Sequence, residues 1–240
     1  GKNFVKTIFA LLQNKNEINA LLNKLSPKNF TNICKQIQNY YTDESSKEEL
    51  VNNTIDNVFM KAVMQPVYCP YYVKFLKIVN EKYEKIDVIN KKCIEFKQII
   101  KKEDKNSDEL SLSEKEKYDL FCKANKEKTY KEGYSQFIGE LFNNKMINSN
   151  TLKQNISFFV ENLEDSTSED AKSPYVEDLL ICICKLFDTV SNMRKNDAAI
   201  IKDFCYRVIT IKNNENLPKR LKFKLMDLKD LMVKRKVIIV

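Results

Sequence analysis

F-I-G-E-L-F, at residues 137–142, lies near the end of a long segment whose apolar pattern predicts a helix. Its third residue, Gly139, is one of only three glycines in 240 residues. Glycine inside a helix costs about 1 kcal/mol relative to alanine, so a helix that keeps one usually has a packing reason. We therefore predict that Gly139 lets another helix approach closely, that the four apolar residues of the run lie in the core, and that Glu140 is exposed.

The composition around this stretch also favours helices. The chain has only 3 Gly and 5 Pro, whereas strands joined by tight turns need many more of both, which disfavours all-β and dinucleotide-binding folds. Apolar residues recur at helical spacing instead, as in residues 51–63, which follow the capping-box pair Ser46 and Glu49. The Ser-Pro pairs at 26–27 and 173–174 are further signals for the start of a helix.

The helical segments are numerous and come in pairs. About ten or eleven of them fit the sequence, and pairs recur about every 40 residues, a spacing typical of HEAT-type hairpins stacked into a solenoid. We predict an all-α, HEAT-repeat-like solenoid of about five antiparallel helix pairs that forms a single domain over residues 1–240, with flexible loops at 104–113 and 165–173. Because the chain begins with Gly1 rather than Met, we expect it to be part of a longer protein.

The residues that most enzymes use are missing or dispersed. Histidine is absent, so Ser-His and Cys-His catalysis and histidine-ligated zinc sites are excluded. The glycines form no phosphate-binding loop. The 7 Cys contain no C-x-x-C pair and lie among apolar residues, which indicates reduced, buried thiols. We also find no apolar run long enough to span a membrane. We predict a protein that is not an enzyme, holds no cofactor or metal ion, and works in the cytoplasm without a membrane partner.

The last predicted helix has an unusual outer face. Leu225 belongs to an apolar stripe that also contains Leu221, Leu228 and Met232, and Phe223 lies about 160° from Leu225 at the helical spacing of about 100° per residue. The residues that share the face of Phe223 are charged, and they are Lys219, Asp227 and Asp230. An aromatic ring among charges is a candidate interface anchor. The alternative is that this helix buries two faces, which would place Phe223 in the core.

Five segments, in this order, resemble the middle domain of eukaryotic translation initiation factor 4G. They are L-L-N-K-L-S-P-K-N-F at 21–30, V-F-M-K-A-V-M-Q-P at 58–66, F-I-G-E-L-F-N-N-K-M at 137–146, D-L-L-I-C-I-C-K-L-F-D-T at 178–189 and L-P-K-R-L-K-F-K-L-M-D-L-K-D-L at 217–231.

The sequence also departs from the family pattern. Gln65 replaces a glutamate of the family, the family's R-G-x-x-W motif after the last helix is absent, and residues 4–12 have no counterpart. We interpret the chain as a diverged member of the family, of protist or large-DNA-virus origin, which in the viral case would work in the host cytoplasm.

The resemblance implies a scaffold of five HEAT-type helix pairs that binds a DEAD-box RNA helicase of the initiation machinery. In that family the domain holds the two helicase lobes in a half-closed arrangement, so that lobe closure and nucleotide exchange become easier, and it contacts mRNA. A cap-binding protein would bind through regions outside residues 1–240. The resemblance implies that Phe223, which matches a phenylalanine of the family, takes part in helicase recognition. On this basis we assign Arg220, Phe223, Asp227 and Asp230 to the helicase's C-terminal lobe, with Lys222 and Lys224 for steering. Glu140 is a weaker contact candidate because we expect it to be exposed.

Lysine-rich stretches are candidates for RNA contact. The net charge of +8 comes from 37 Lys and 4 Arg against 33 acids. One patch consists of Lys91, Lys92, Lys97, Lys101 and Lys102, and another of Lys229, Lys234, Arg235 and Lys236. Because there are few Arg and little aromatic surface between these lysines, we favour a solvated lysine-rich helix face over RNA contact as their explanation.

Two other functions remain open at the level of sequence. The first is an adaptor of the same superfamily in nuclear cap binding, splicing or nonsense-mediated mRNA decay. The second is an RNA-binding solenoid that has no helicase partner.

Overall fold

The computed structural model of the chain describes residues 2–96, 113–191 and 199–239. These residues form ten α-helices and short 3-10 turns, with no strand among them. The α-helices are α1 (Lys2–Asn23), α2 (Phe30–Gln38), α3 (Lys47–Met64), α4 (Cys69–Tyr83), α5 (Ile86–Phe96), α6 (Glu114–Asn143), α7 (Ser149–Asp170), α8 (Pro174–Ser191), α9 (Lys202–Thr210) and α10 (Lys219–Lys234). The prediction of an all-α, HEAT-like fold with about five helix pairs is confirmed.

The chain divides into two compact units, residues 1–87 and residues 88–240. In the first unit, the four-residue turn between α3 and α4 makes these packed helices antiparallel neighbours. The buried hydroxyl of Tyr72 on α4 donates to Oε1 of Gln65, the residue that departs from the family pattern, over 2.9 Å. An amide oxygen and a carboxylate oxygen can both accept this bond, so glutamine and glutamate are equivalent acceptors here. The single domain over 1–240 stays a prediction.

In the second unit, the most extensive contact among the described helices joins α6 and α8. A Cβ atom placed on Gly139 of α6 would lie 2.7 Å from both Cβ and Cγ2 of Thr189 on α8. The close approach predicted from this glycine is therefore confirmed. Two polar contacts flank it: Lys131 Nζ lies 3.0 Å from Asp178 Oδ2, and Asn143 Nδ2 donates to the carbonyl oxygen of Thr189 over 3.0 Å.

The side chains of the F-I-G-E-L-F run also follow the prediction, with one correction. Phe137, Ile138, Leu141 and Phe142 are buried. Glu140, however, is half-buried rather than exposed, because it lies between buried neighbours on a helix that is covered over most of its circumference at this point.

The end of α6 explains the second half of the same motif. Lys145 adopts a left-handed backbone with a φ of 61°, and the amide of Met146 donates to the carbonyl of Leu141 over 2.8 Å. This arrangement is a Schellman cap, in which a buried apolar residue, here Met146, follows the left-handed position. The cap turns the chain from α6 toward α7 at a fixed point.

The predicted loop at 165–173 is wrong for residues 165–170, which continue α7. The Ser-rich composition suggested a loop, but Ser166 and Thr167 are buried and the hydroxyl of Thr167 donates to the carbonyl of Leu163 over 2.6 Å. The hydroxyl of Thr167 is thus satisfied within the helix. The other predicted loop, 104–113, lies outside the described residues except for Ser113.

We predict that Gly139→Ala destabilises the protein by about 1–3 kcal/mol, because the added methyl group would overlap Thr189 in a packed interface. Urea unfolding followed by circular dichroism measures this change. Helix propensity alone gives the opposite sign, a gain of about 1 kcal/mol for Gly→Ala. A stabilised variant would therefore contradict the close approach of α6 and α8.

Candidate functional site

Helix α10 presents one buried and one exposed face. Its buried residues are the stripe predicted from the sequence, Leu221, Leu225, Leu228 and Met232. Phe223 on the other side is 63% exposed. The alternative that placed Phe223 in the core is therefore wrong, and the ring is available to a partner.

Arg220 on this face is held by a neighbouring helix. Its guanidinium makes two hydrogen bonds to the carboxylate of Glu177 on α8, from Nη1 to Oε1 over 2.9 Å and from Nη2 to Oε2 over 2.5 Å. A bidentate pair of this kind fixes the orientation of both side chains. Arg220 keeps most of its surface exposed, so it is oriented by Glu177 and still accessible.

An open groove of about 400 Å³ runs beside the exposed face of α10. It is bounded by α6, α8 and α10, and the residues that line it are Glu132, Ile181, Cys184, Lys185, Asp188, Lys224, Asp227, Leu228 and Leu231. Apolar side chains form part of its wall, and both signs of charge stand around it. The groove therefore offers a partner both apolar contact and charge pairing.

The other predicted helicase contacts lie at different places around α10. Asp227 and Asp230 are exposed, whereas Lys222 and Lys224 are half-buried. Lys222 Nζ lies 3.4 Å from the carbonyl oxygen of Glu215. Lys224 and Asp227 line the groove. Glu140 belongs to α6 and does not line the groove.

The structure describes only some of the predicted RNA-binding lysines, and these lie on two different helices. Lys91 and Lys92 lie on α5, where Lys91 is exposed with its Nζ 3.9 Å from a carboxylate oxygen of Glu95. Lys229 is half-buried on α10, and Lys234 at its end is exposed. The remaining members of the first patch, Lys97, Lys101 and Lys102, lie outside the described residues.

Comparison with known families gives a match over nearly the whole chain. The model of the MIF4G domain matches residues 15–233. The chain belongs to the MIF4G domain family.

Relatives named eukaryotic translation initiation factor 4G are similar to this MIF4G domain at low identity. The protein of Cucumis melo is 26% identical over 235 residues, which cover 90% of this chain and 12% of the relative. The protein of Arabidopsis thaliana is 24% identical over 230 residues, covering 90% and 13%. Eukaryotic translation initiation factor 4 gamma 1 of Mus musculus is 23% identical over 244 residues, covering 89% and 14%. The chain thus spans only a small part of the length of these relatives.

Sequence reasoning missed the contribution of α8 to the site. Glu177, Lys185 and Asp188 stand next to α10, yet the motif at 178–189 drew attention only as a mark of the family. The helical periodicity of 3.6 residues separates these charged positions from the buried apolar face of α8. Nothing in the sequence, however, shows that they lie next to residues of α10.

Chemistry at the groove is limited by the state of its one thiol. Burial raises the pKa of Cys184 to about 12, an effect to which Asp227 and Asp188 add and which Lys224 opposes. The thiol therefore stays protonated at neutral pH and is a poor nucleophile. Among the residues that the structure describes, no three His, Cys, Asp or Glu side chains are placed to hold a metal ion. No described helix is long and apolar enough to cross a membrane.

Arg235, predicted to touch RNA, has a structural role in this MIF4G domain. Its Nη1 donates to the carbonyl oxygen of Asp188 and to Oγ of Ser191, each over 2.6 Å, and its Nη2 lies 2.7 Å from Asp188 Oδ1. The bond to Asp188 gives a partner to one of the last carbonyls of α8, which have none within the helix. The guanidinium is thus committed to joining the ends of α8 and α10.

We predict that Arg235→Ala lowers the free energy of unfolding by about 1–2 kcal/mol, because it removes three partly exposed hydrogen bonds that involve a charge. The neighbouring exposed residue supplies the control, since Lys234→Ala should stay within about 0.5 kcal/mol of the parent. Urea unfolding of both variants measures the difference. Equal effects would mean that the contacts of Arg235 contribute nothing specific.

Proposed function

We propose that this MIF4G domain is a scaffold of translation initiation that binds a DEAD-box RNA helicase through the exposed face of α10. The observation that carries the proposal is the exposure of Phe223, an aromatic ring that stands in solvent on a helix whose other face is buried. The names of the relatives, all translation initiation factors 4G, support the choice of process.

The surroundings of Phe223 suit a protein interface. Binding energy in such interfaces concentrates in a few aromatic and arginine side chains, with charges at the rim. Arg220 is oriented before binding by Glu177, so less conformational freedom is lost when a partner docks. Asp227 and Asp230 would steer a basic surface of the helicase's C-terminal lobe toward the ring.

The proposed mechanism is a population shift in the helicase. A scaffold that binds the half-closed arrangement of the two lobes more tightly than the open one multiplies the ratio of half-closed to open helicase in the complex by the ratio of the two affinities. Closure of the lobes around ATP and RNA then starts from the half-closed arrangement, which is closer to the closed one than the open arrangement is. The domain supplies binding energy only, and the chemical step belongs to the helicase.

An auxiliary contact with mRNA belongs to the same proposal. It is supported by the net charge of +8 and by the lysines of α5 and α10. We place the protein in the cytoplasm, together with the initiation machinery, and we assign any cap-binding partner to regions beyond residues 1–240.

We predict that Phe223→Ala weakens helicase binding about 30-fold or more, the loss expected when a central aromatic anchor is removed. Phe121→Ala is a matched control for helicase binding measured without RNA, because Phe121 on α6 is 64% exposed and Phe223 63% exposed. Co-precipitation and titration with the purified helicase at fixed salt measure the two affinities.

One outcome of this titration would contradict the proposed helicase site. If Phe223→Ala and Phe121→Ala weaken binding to the same small extent, the face of α10 is not the helicase site. Circular dichroism at the start of each titration shows whether both variants keep the helical fold. An adaptor in splicing or decay would instead co-precipitate a different partner with the same dependence on Phe223.

A further inference from the structure

The first turns of α6 stand in solvent on all sides. Every residue from Ser113 to Phe121 is exposed, and the exposed residues include two aromatic side chains, Tyr118 at 66% and Phe121 at 64%. Farther along, Cys122 is half-buried and residues 123–126 are exposed. The apolar rings of this segment therefore have no place in the core.

Local interactions account for the helix in this segment. Ser113 and Glu116 form a capping box, with the hydroxyl of Ser113 accepting from the amide of Glu116. Lys117 and Glu114 approach to 3.4 Å, and Lys123 and Glu127 to 3.6 Å, at helical spacing. None of these contacts involves Tyr118 or Phe121.

The two rings lie on one face, and cations flank that face on both sides. At about 100° per residue, Tyr118 and Phe121 are about 60° apart. On the same wheel Lys117 and Lys128 fall within about 40° of Phe121, and Lys115 and Lys126 within about 80° of Tyr118. Of these four lysines, only Lys117 is ion-paired within the described ranges.

The acids of the segment mostly occupy the other side of the helix. Glu116, Asp119 and Glu127 lie about 130° or more from the midpoint between the two rings. Glu114 is the exception, because it lies about 10° from that midpoint, where Lys117 contacts it. The face with the two rings thus carries one ion-paired acid and is flanked by four lysines, whereas the other acids of the segment lie on the far side of the helix.

We propose that this aromatic and basic face of α6, made of Tyr118 and Phe121 with their flanking lysines, binds single-stranded RNA. Aromatic rings stack on any base, and lysines beside them follow the phosphates, which is how proteins hold single strands without reading their sequence. This inference rests on the proposed function and names a site for its auxiliary RNA contact. The site is separate from the helicase-binding face of α10.

The neighbours of the rings favour RNA over a protein partner. Between and beyond the rings the same face carries Asn125 and Thr129, both exposed and polar, so there is no continuous apolar patch for a protein to cover. Lysine, which flanks the rings, is depleted in protein interfaces and common where phosphates are bound.

A tryptophan placed on this face reports stacking directly, since the chain has no Trp of its own. Phe121→Trp is titrated with an oligouridylate of about twelve nucleotides, and its fluorescence should fall to a plateau as bases stack on the indole. Leu120→Trp is the matched control, because Leu120 is the adjacent residue, 42% exposed, and lies about 130° from the midpoint of the rings. Its fluorescence should change little.

Affinity measurements test the two parts of the face separately. Tyr118→Ala combined with Phe121→Ala should weaken oligouridylate binding at least tenfold at fixed salt, whereas Phe223→Ala should leave it unchanged. The logarithm of the RNA-binding constant falls with the logarithm of the salt concentration, and the slope of this line reports the phosphate contacts. In the Lys115→Ala, Lys126→Ala double variant this slope should become shallower by about 0.7 for each lysine removed. Lys123→Ala, on the acidic side, should reduce it less.

Three results would overturn the assignment. One is equal quenching at positions 120 and 121, and another is an unchanged affinity in the Tyr118 and Phe121 double variant. The third is loss of helicase binding in that double variant while RNA binding stays intact, which would make the face a protein interface. Helicase binding that fails only in Phe223→Ala, with RNA binding lost only in the double variant, supports both proposals independently.

Discussion

The close approach of α6 and α8 at Gly139 is the constraint on which the candidate site depends. With no side chain on Gly139, Thr189 of α8 can lie against the backbone of α6, and the Lys131–Asp178 pair and the bond from Asn143 to the Thr189 carbonyl fix α8 along its length. Helix α8 in turn carries Glu177 and Asp188, which hold the two ends of α10 through arginines. The orientation of the exposed face of α10 therefore follows from a packing contact inside the unit.

Arg220 and Arg235, which both connect α8 with α10, differ in how accessible they remain. Arg235 is drawn into the C-terminal end of α8 and stabilises the joint between the helices. Arg220 is paired with Glu177 but stays accessible beside Phe223. A chain with only four Arg uses two of them to connect α8 and α10. Exposed lysines, such as Lys115 and Lys126 on α6, can act on a polyanion through charge alone.

The sequence predicts the helices and the exposed face of α10, but it does not predict contacts that depend on how the helices pack. Helical spacing placed Phe223 opposite the buried stripe, and the cost of a helical glycine predicted the contact at Gly139. The pairing of Arg220 with Glu177, 43 residues apart, could not be predicted, because it depends on how α8 and α10 pack. The Ser-rich end of α7 misled because buried hydroxyls can bond within a helix, which the composition does not reveal.

If the domain activates a helicase by holding its two lobes, an ATPase titration will show the activation. The DEAD-box helicase captured by this domain from the native cytoplasm is purified, and its RNA-dependent ATPase rate is measured with increasing amounts of the domain at fixed salt. We expect a saturable rise in the rate, with a half-saturation point that matches the affinity of the complex. Binding of the helicase without a change in its rate, or capture of no DEAD-box helicase at all, would contradict activation by this domain.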